Sequence, residues 1–327
     1  MTQKVQETTN APAQENKDLL WVSVSPHLKG KKTTQSIMLD VIIALLPISV
    51  AATVLFGLRV LALIATAVIT CVVSEFFFNK MTGRDNTVTD LSAVVTGLIL
   101  ALNVPATLPL WQLAFGSVAA ICMVKGLFGG LGQNFANPAV TARILLFVSF
   151  STNMCAKSVS RFATAELYTS ATPLKMIADG NFNQSLLDML LGNHTTSAVG
   201  ETCIVAILVG FVYLLVKKII TWHTPVFFVG TVYLFSLLVS FDPYTSLELI
   251  LSGGLIFGAV FMATDYATTP TSYIGRAVFG IGCGIITFII RQYGSLPEGV
   301  SLSILFMNIL TPYIEQLCRH RPLGGAK

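Results

Sequence analysis

Charge is what this sequence has least of. Only 11% of its 327 residues are Lys, Arg, Asp or Glu, where a soluble domain carries about 25%. Twenty basic and sixteen acidic side chains cannot cover a soluble protein of this size, which excludes an ordinary soluble enzyme. A disordered chain is excluded too, because apolar residues make up 54% before glycine is counted. The net charge of +4 is small, and no basic run is interleaved with aromatics; a nucleic-acid surface needs both. Six cysteines stand far apart with no CxxC pair, which argues against a disulfide framework, an iron–sulfur cluster or a structural zinc site. His27, His194, His223 and His320 are scattered, without the spacing of a haem or metal site. The first 36 residues are polar and end in Lys31-Lys32, unlike a cleavable signal peptide.

What is present is a series of long apolar runs. About 20 apolar residues cross the hydrocarbon core as a helix, the form that satisfies its own backbone there. Such runs fall at 37–56, 58–78, 88–104, 109–126, 137–152, 199–217, 224–241, 247–264, 275–292 and 298–316. The spans 88–104 and 137–152 are short and rich in Gly, Thr or Asn, which predicts broken or tilted helices. Only Gly57 separates the first two runs, forcing a tight hairpin. With the N-terminus in the cytoplasm, alternation leaves fourteen Lys and Arg on that side and five outside. That bias follows the positive-inside rule and returns the C-terminus to the cytoplasm.

The expected fold is therefore an all-α polytopic membrane protein of about ten transmembrane helices. Residues 1–36 and 317–327 are cytoplasmic tails, and 37–152 and 199–316 are five-helix groups. Residues 153–198 form an external loop, and a connection this long is commonly functional. The groups share a pattern. Gly97–Ala101, Pro105, Phe115-Gly116 and Gly129-Gly130 are echoed by Gly258–Ala263, Pro270, Phe279-Gly280 and Gly294. Copies offset by five spans enter the membrane from opposite sides, giving an inverted repeat whose interrupted third and eighth helices suit a cofactor or ion.

Three segments carry polar chemistry. In Ala263-Thr264-Asp265-Tyr266-Ala267-Thr268-Thr269-Pro270-Thr271, Pro270 stops the eighth helix; its hydroxyls and freed carbonyls suit an ion or the edge of an aromatic cofactor, or simply cap helix ends. Gly126–Ala139 combines glycines with Gln133, Asn134 and Asn137, but it lacks the Gly-Lys-Ser/Thr ending of a nucleotide-hydrolysing loop. In the external loop, small residues around Thr172 leave its hydroxyl open to a modifying enzyme. Asp40 and Glu75 lie at membrane depth, with Glu201, Glu248 and Glu298 near span ends, and such acids are functional candidates. Arg143, embedded in the fifth span, suits either a salt bridge or a phosphate contact.

Taken together these segments resemble one family. Ser25-Pro26-His27 with Thr33-Thr34 and Ile37-Met38-Leu39-Asp40, then Gly132–Ala139, then Phe261–Tyr266 with Thr268-Thr269-Pro270-Thr271 and Gly275-Arg276 are similar to motifs of the D subunits of Rnf electron-transport complexes. The B subunits of sodium-pumping NADH:quinone oxidoreductases are more distant members. The resemblance covers residues 22–318. It implies FMN joined through its phosphate to a threonine, which maps onto Thr172 of Glu166-Leu167-Tyr168-Thr169-Ser170-Ala171-Thr172. Glu166 stands where the family has aspartate, and Ser170 where it has glycine. It also implies a non-covalent riboflavin near the repeat axis, with Asn134, Asn137, Asp265, Thr268 and Thr269 as candidate contacts.

The implied activity is that of one component, incapable of complete catalysis alone, in a bacterial or archaeal inner-membrane complex. Such a complex couples electron transfer between ferredoxin and NAD to Na⁺ or H⁺ transport. Ferredoxin and NAD would bind partner subunits, and a flavin transferase would act on Thr172 from outside. Membrane lipid surrounds the chain, and no nucleic acid is involved. Two other readings compete: a self-contained secondary transporter without flavin, and a structural membrane scaffold.

Overall fold

Apolar runs of helical length become helices wherever no Pro, Gly or turn residue interrupts them. The computed structural model describes residues 33–84, 87–162, 177, 186–192, 196–294 and 299–318. Residues 34–327 form one unit and 1–33 another. Glu166, Ser170 and Thr172 lie outside the described residues, as do Ser25-Pro26-His27, the C-terminal tail from 319 and Glu298.

In chain order the helices are α1 (Thr34–Phe56), α2 (Leu58–Thr82), α3 (Ser92–Leu102), α4 (Leu110–Gly126) and α5 (Pro138–Ser149). The second group comprises α6 (Ile204–Val216), α7 (His223–Ser240), α8 (Pro243–Leu251), α9 (Leu255–Met262), α10 (Tyr273–Tyr293) and α11 (Val300–Leu317). Every apolar run read from the sequence coincides with one of these helices, the eighth with the pair α8 and α9. By length and composition, five helices can cross a membrane: α1, α2, α7, α10 and α11. The α8–α9 pair, bent by 65°, makes a sixth, and α3, α4, α5 and α6 are shorter apolar helices. The chain is thus an all-α, multi-pass membrane protein. Its described residues hold no strand, only an isolated antiparallel bridge between Ser158 and Thr196.

Local chemistry sets the boundaries. Gly57 joins α1 to α2 at φ 90°, a conformation costly for any residue with a Cβ. The Asn137 side chain accepts from Ala139 N and Val140 N, with Pro138 at the first position of α5. Asp242 and Pro243 repeat that arrangement at α8. Both are the side-chain cap and N1 proline that a helix start favours. α4 and α9 end in π-helical turns at Ala120–Gly126 and Gly258–Met262, a local widening frequent at functional sites.

Pairings recur between the groups. α2 packs on α3 and α4, as α7 packs on α8, α9 and α10; α4 meets α5, as α10 meets α11. Across the groups, α1 packs on α6 and α5 on α11. The C-terminal ends of the short helices α3 and α9 also meet, with Asn103 Nδ2 2.9 Å from Met262 Sδ.

The α7–α10 seam depends on glycine. A Cβ at Gly280 would lie 2.8 Å from Thr224 O, and one at Gly284 2.5 Å from Thr231 Cβ. Small residues four apart let membrane helices approach closely. Gly284→Leu is expected to lower stability by about 1–3 kcal/mol, the usual cost of overpacking. Thermal unfolding in detergent measures it, and Gly230→Ala, whose Cβ would meet open space, serves as the control.

The described base of the 153–198 connection is anchored. Ser158 N donates to Thr196 O (2.8 Å) and Thr196 N to Ser158 O (3.0 Å). Ser158 Oγ accepts from Ala106 N at 2.8 Å, and Arg161 N donates to Leu55 O at 2.8 Å. The short helix Leu186–Leu191 packs on α6 and α8.

Candidate functional site

A cavity of about 90 Å³ lies where α1, α3, α6 and α9 converge with the segment leading into α5. Its wall is apolar on most sides, with Met38, Ile99, Leu214 and Phe261. Polar groups gather on the rest: Asn134, Asn137, Asp265, Lys125, Ser92 and Thr96. Half-buried Leu131 and exposed Tyr266 form its rim. Few polar groups in an apolar recess are the usual make-up of a small-molecule site.

Three of the residues singled out from the sequence come together here. Asn137 spends its Oδ1 on the α5 cap and offers Nδ2 to Met262 O at 3.4 Å, so one side chain joins the start of α5 to the end of α9. Asn134 is buried, and its Oδ1 is fully enclosed without a hydrogen-bond partner among the described residues. An enclosed acceptor left unmatched is costly, and a ligand or water donor in the cavity would relieve it. Asp265 organises the turn after α9: Oδ1 accepts from Ala267 N and Oδ2 from Thr268 Oγ1, each at 3.3 Å.

Thr268 and Thr269 do not line the cavity. Thr269 Oγ1 donates to Asp265 O at 2.7 Å, and Thr268 O accepts from Thr311 Oγ1 of α11 at 2.9 Å. Their hydroxyls hold the turn that presents Asp265. With its amide turned to satisfy both ends, Asn308 also accepts from Asn137 N and donates to Thr268 O. The turn, α5 and α11 are therefore tied together behind the cavity.

Burial pushes the Asp265 carboxyl above the usual range, against the lowering effect of the Ala267 and Thr268 hydrogen bonds. A raised folded-state value means the native protein binds more protons than the unfolded chain just above the ordinary carboxylate range. This group's contribution to stability therefore declines as pH rises from there through the raised value. Asp265→Asn is expected to flatten that decline, which melting curves taken across mildly acidic pH will read.

Lys125, at the end of the fourth apolar run and counted from the sequence among the cytoplasmic charges, is 3% exposed. Its Nζ donates to Glu75 Oε1 at 2.5 Å and to Ser92 Oγ at 2.7 Å. Thr87 Oγ1 donates to the same Glu75 oxygen at 2.6 Å and accepts from Asn79 Nδ2 at 3.0 Å. Glu75 Oε2 is enclosed with no hydrogen-bond partner among the described residues. The π-helical turn at Ala120–Gly126 carries Lys125, and a register shift of that kind is invisible to a 3.6-residue reading.

Arg143 and Asp40, also embedded, each join helices. Arg143 donates to Glu201 Oε1 (3.2 Å) and Ser301 Oγ (3.0 Å), linking α5, the turn before α6, and α11. Asp40 accepts from Tyr213 OH at 2.7 Å, with Lys217 Nζ at 3.6 Å, which ties α1 to α6. All six cysteines are free thiols, and no cluster of metal-ligating side chains occurs among the described residues.

The amide, carboxylate and ammonium groups of the polar wall are chemically suited to the polar edge of a flavin ring, with Asn134 Oδ1 as an acceptor. At about 90 Å³ the cavity is well below the roughly 300–1,000 Å³ of a drug-sized ligand site. A larger guest would extend past Leu131 and Tyr266 at the rim.

Comparison with known proteins gives consistent matches over nearly the whole chain. The family described as NQR2, RnfD, RnfE matches residues 21–324. The D subunit of the Na(+)-translocating ferredoxin:NAD(+) oxidoreductase complex of Acetobacterium woodii is 45% identical over 311 residues, covering 94% of this chain and 96% of that protein. The D subunit of the proton-translocating ferredoxin:NAD(+) oxidoreductase complex of Clostridium ljungdahlii is 36% identical, covering 96% and 99%. The D subunit of the ion-translocating oxidoreductase complex of Haemophilus influenzae is 32% identical, covering 92% and 96%.

Proposed function

The chain belongs to the NQR2, RnfD, RnfE family, and from that premise we propose that it is the D subunit of an Rnf-type complex. In this reading the complex couples electron transfer between ferredoxin and NAD to the movement of Na⁺ or H⁺, and this subunit carries flavin rather than completing a reaction alone. The observation that carries it is the cavity between the two groups of helices, where Asn134, Asn137 and Asp265 converge beside Lys125. Similarity over more than nine-tenths of both chains to subunits named for this activity supports it.

Ten spans in two inverted five-helix groups are the architecture we infer. The recurring pairings of α2 with α3 and α4, and of α7 with α8, α9 and α10, support it. The Lys and Arg bias supports cytoplasmic termini and an outward loop. FMN would be held by a phosphoester on Thr172, with Glu166 and Ser170 flanking it. A riboflavin would present its polar edge to Asn134, Asn137 and Asp265. Flavins supply one- and two-electron transfer, and the protein supplies position and electrostatics.

The residues then have definite tasks. Lys125 places a positive charge at the cavity wall, fixed by Glu75 and Ser92, where it stabilises negative charge arriving on a guest. Asp265, held by its own turn, is positioned to exchange a proton at a carboxylate oxygen. Phe261 and Ile99 keep bulk water away from both. Ferredoxin, NAD and the flavin transferase would engage partner subunits or the outer loop.

Inverted membrane vesicles test the reading. Reduced ferredoxin and NAD are expected to drive ion uptake with the complete complex, and both NAD reduction and uptake are expected to cease without this subunit. The bent α8–α9 pair also suits a secondary transporter; solute uptake by the flavin-free chain alone would favour that instead.

A further inference from the structure

Helices α1, α2, α8 and α11 carry one acid each, and no other helix from α1 to α11 carries any. Three of the four have donors. Asp40 accepts from Tyr213, Glu75 from Lys125 and Thr87, and Glu315 from Thr271 N and Oγ1. Glu201, in the turn before α6, has Arg143. Glu248 of α8 is the exception: it is only 6% exposed, and among the described residues no hydrogen-bond donor or cation meets its carboxyl group.

The neighbouring charges do not compensate it. Asp242, at the start of the same helix, is an acid occupied with Tyr244 N, Thr245 N and Thr245 Oγ1. Arg291 of α10 donates to Leu249 O and Ser252 O, the backbone on either side of the bend. α7 offers only Tyr233 and, at its first residue, His223; α9 has no titratable group. Asp188, on the short helix Leu186–Leu191 packed against α8, is a further acid. With no donor or cation among the described residues to offset its burial, the carboxyl group is one that can take up a proton. A lone carboxylate also lacks the several oxygen ligands a metal cation needs.

Position adds meaning to the protonation. Glu248 lies one turn before the 65° bend between α8 and α9, and Ser252 N at that bend donates to Glu248 O at 2.9 Å. On the other limb, Glu201 Oε1 sits where it leaves no room for a Cβ on Gly254. Unlike Glu75 Oε2, the Glu248 oxygens are not fully enclosed, so a proton can leave. Ionisable groups kept inside a bundle mark ion or proton routes.

We propose that Glu248 is a proton-exchanging site on the limb of the broken helix next to the external loop. The step is simple: the carboxylic acid releases its proton to water at that face, leaving a carboxylate, and later takes one back. This rests on the reading of the chain as a subunit of an ion-translocating complex. It adds a specific proton-binding residue at the face where the ion would leave.

Infrared difference spectroscopy of the assembled complex, reduced against oxidised, tests it. The expected result is a protonated-carboxyl band that shifts in D₂O and disappears in Glu248→Gln. Ions moved per electron are expected to fall several-fold in that variant, with flavin content and NAD reduction retained. Glu248→Asp, which keeps a carboxyl group, should move the band rather than delete it and serves if the Gln variant fails to assemble. An unchanged spectrum in either variant overturns the proposal, and so does an unchanged ion-to-electron ratio in Glu248→Gln. Absence of flavin or of ferredoxin-dependent NAD reduction in the unmodified complex would instead strike the underlying reading.

Discussion

Thr172→Ala is expected to abolish covalent flavin on this subunit, and Thr172→Ser to retain it. A phosphoester needs a hydroxyl oxygen as its bridge; alanine has none, and serine keeps the oxygen while losing one methyl group. The substitution removes no apolar side chain, and the described base of the 153–198 connection is fixed elsewhere, by the Ser158–Thr196 bridge and the Ser158 Oγ contact to Ala106 N. Folding and assembly should therefore survive. The measurement is flavin fluorescence of the denatured chain in a gel, backed by the mass of the peptide containing residue 172. With the tether gone, ferredoxin-dependent NAD reduction by the complex is expected to collapse. Fluorescence that persists at full strength in Thr172→Ala would move the attachment elsewhere. Thr169, three residues earlier, offers the same hydroxyl on the same side-chain type. Thr169→Ala is accordingly the matched control, expected to leave the adduct in place.

The helical layout was legible because its cause is local. Runs of apolar residues long enough to reach across a bilayer, punctuated by Gly57, Pro138, Pro243 and Pro270, leave little choice of element. That the polar segments at 132–139 and 263–271 stand apart was legible for the same reason: amides and an acid beside a helix break contrast with an apolar background, and Asn134, Asn137 and Asp265 line one cavity. Two things were not. Thr268 and Thr269 read as ligands or as helix caps, and their hydroxyls close a turn around Asp265 while the Thr268 carbonyl meets α11; composition cannot tell a ligand from a brace. Lys125 reads as a cytoplasmic charge, because its pairing with Glu75 joins residues fifty positions apart through a π-helical turn that breaks the expected periodicity. Likewise Asp40 and Arg143 could be recognised as embedded charges, while their partners Tyr213 and Glu201 depend on which helices meet. For Asp40, Glu75 and Arg143 the sequence placed charge at membrane depth, and tertiary pairing decided its partners.

The Glu75–Lys125 pair gives the largest expected effect on stability. Both side chains are 4% exposed, so removing one leaves the other charged and enclosed. Lys125→Met should therefore lower stability by about 3–5 kcal/mol, the cost of breaking a buried pair. The loss extends to Ser92 Oγ and leaves Glu75 with the Thr87 hydroxyl alone. Replacing both partners, Glu75→Leu with Lys125→Met, should recover most of that loss, since an apolar pair of similar volume carries no orphaned charge. Unfolding of the single and double variants in detergent, analysed as a double-mutant cycle, separates the pair energy from lost packing. Equal destabilisation in the double variant and in the sum of the singles would mean the two charges are not coupled. The same variants bear on function, because Lys125 is the one Lys or Arg among the residues lining the cavity. A double variant that folds well yet shifts the reduction potential of the complex's flavin would support the proposed role of Lys125 beside a guest in the cavity.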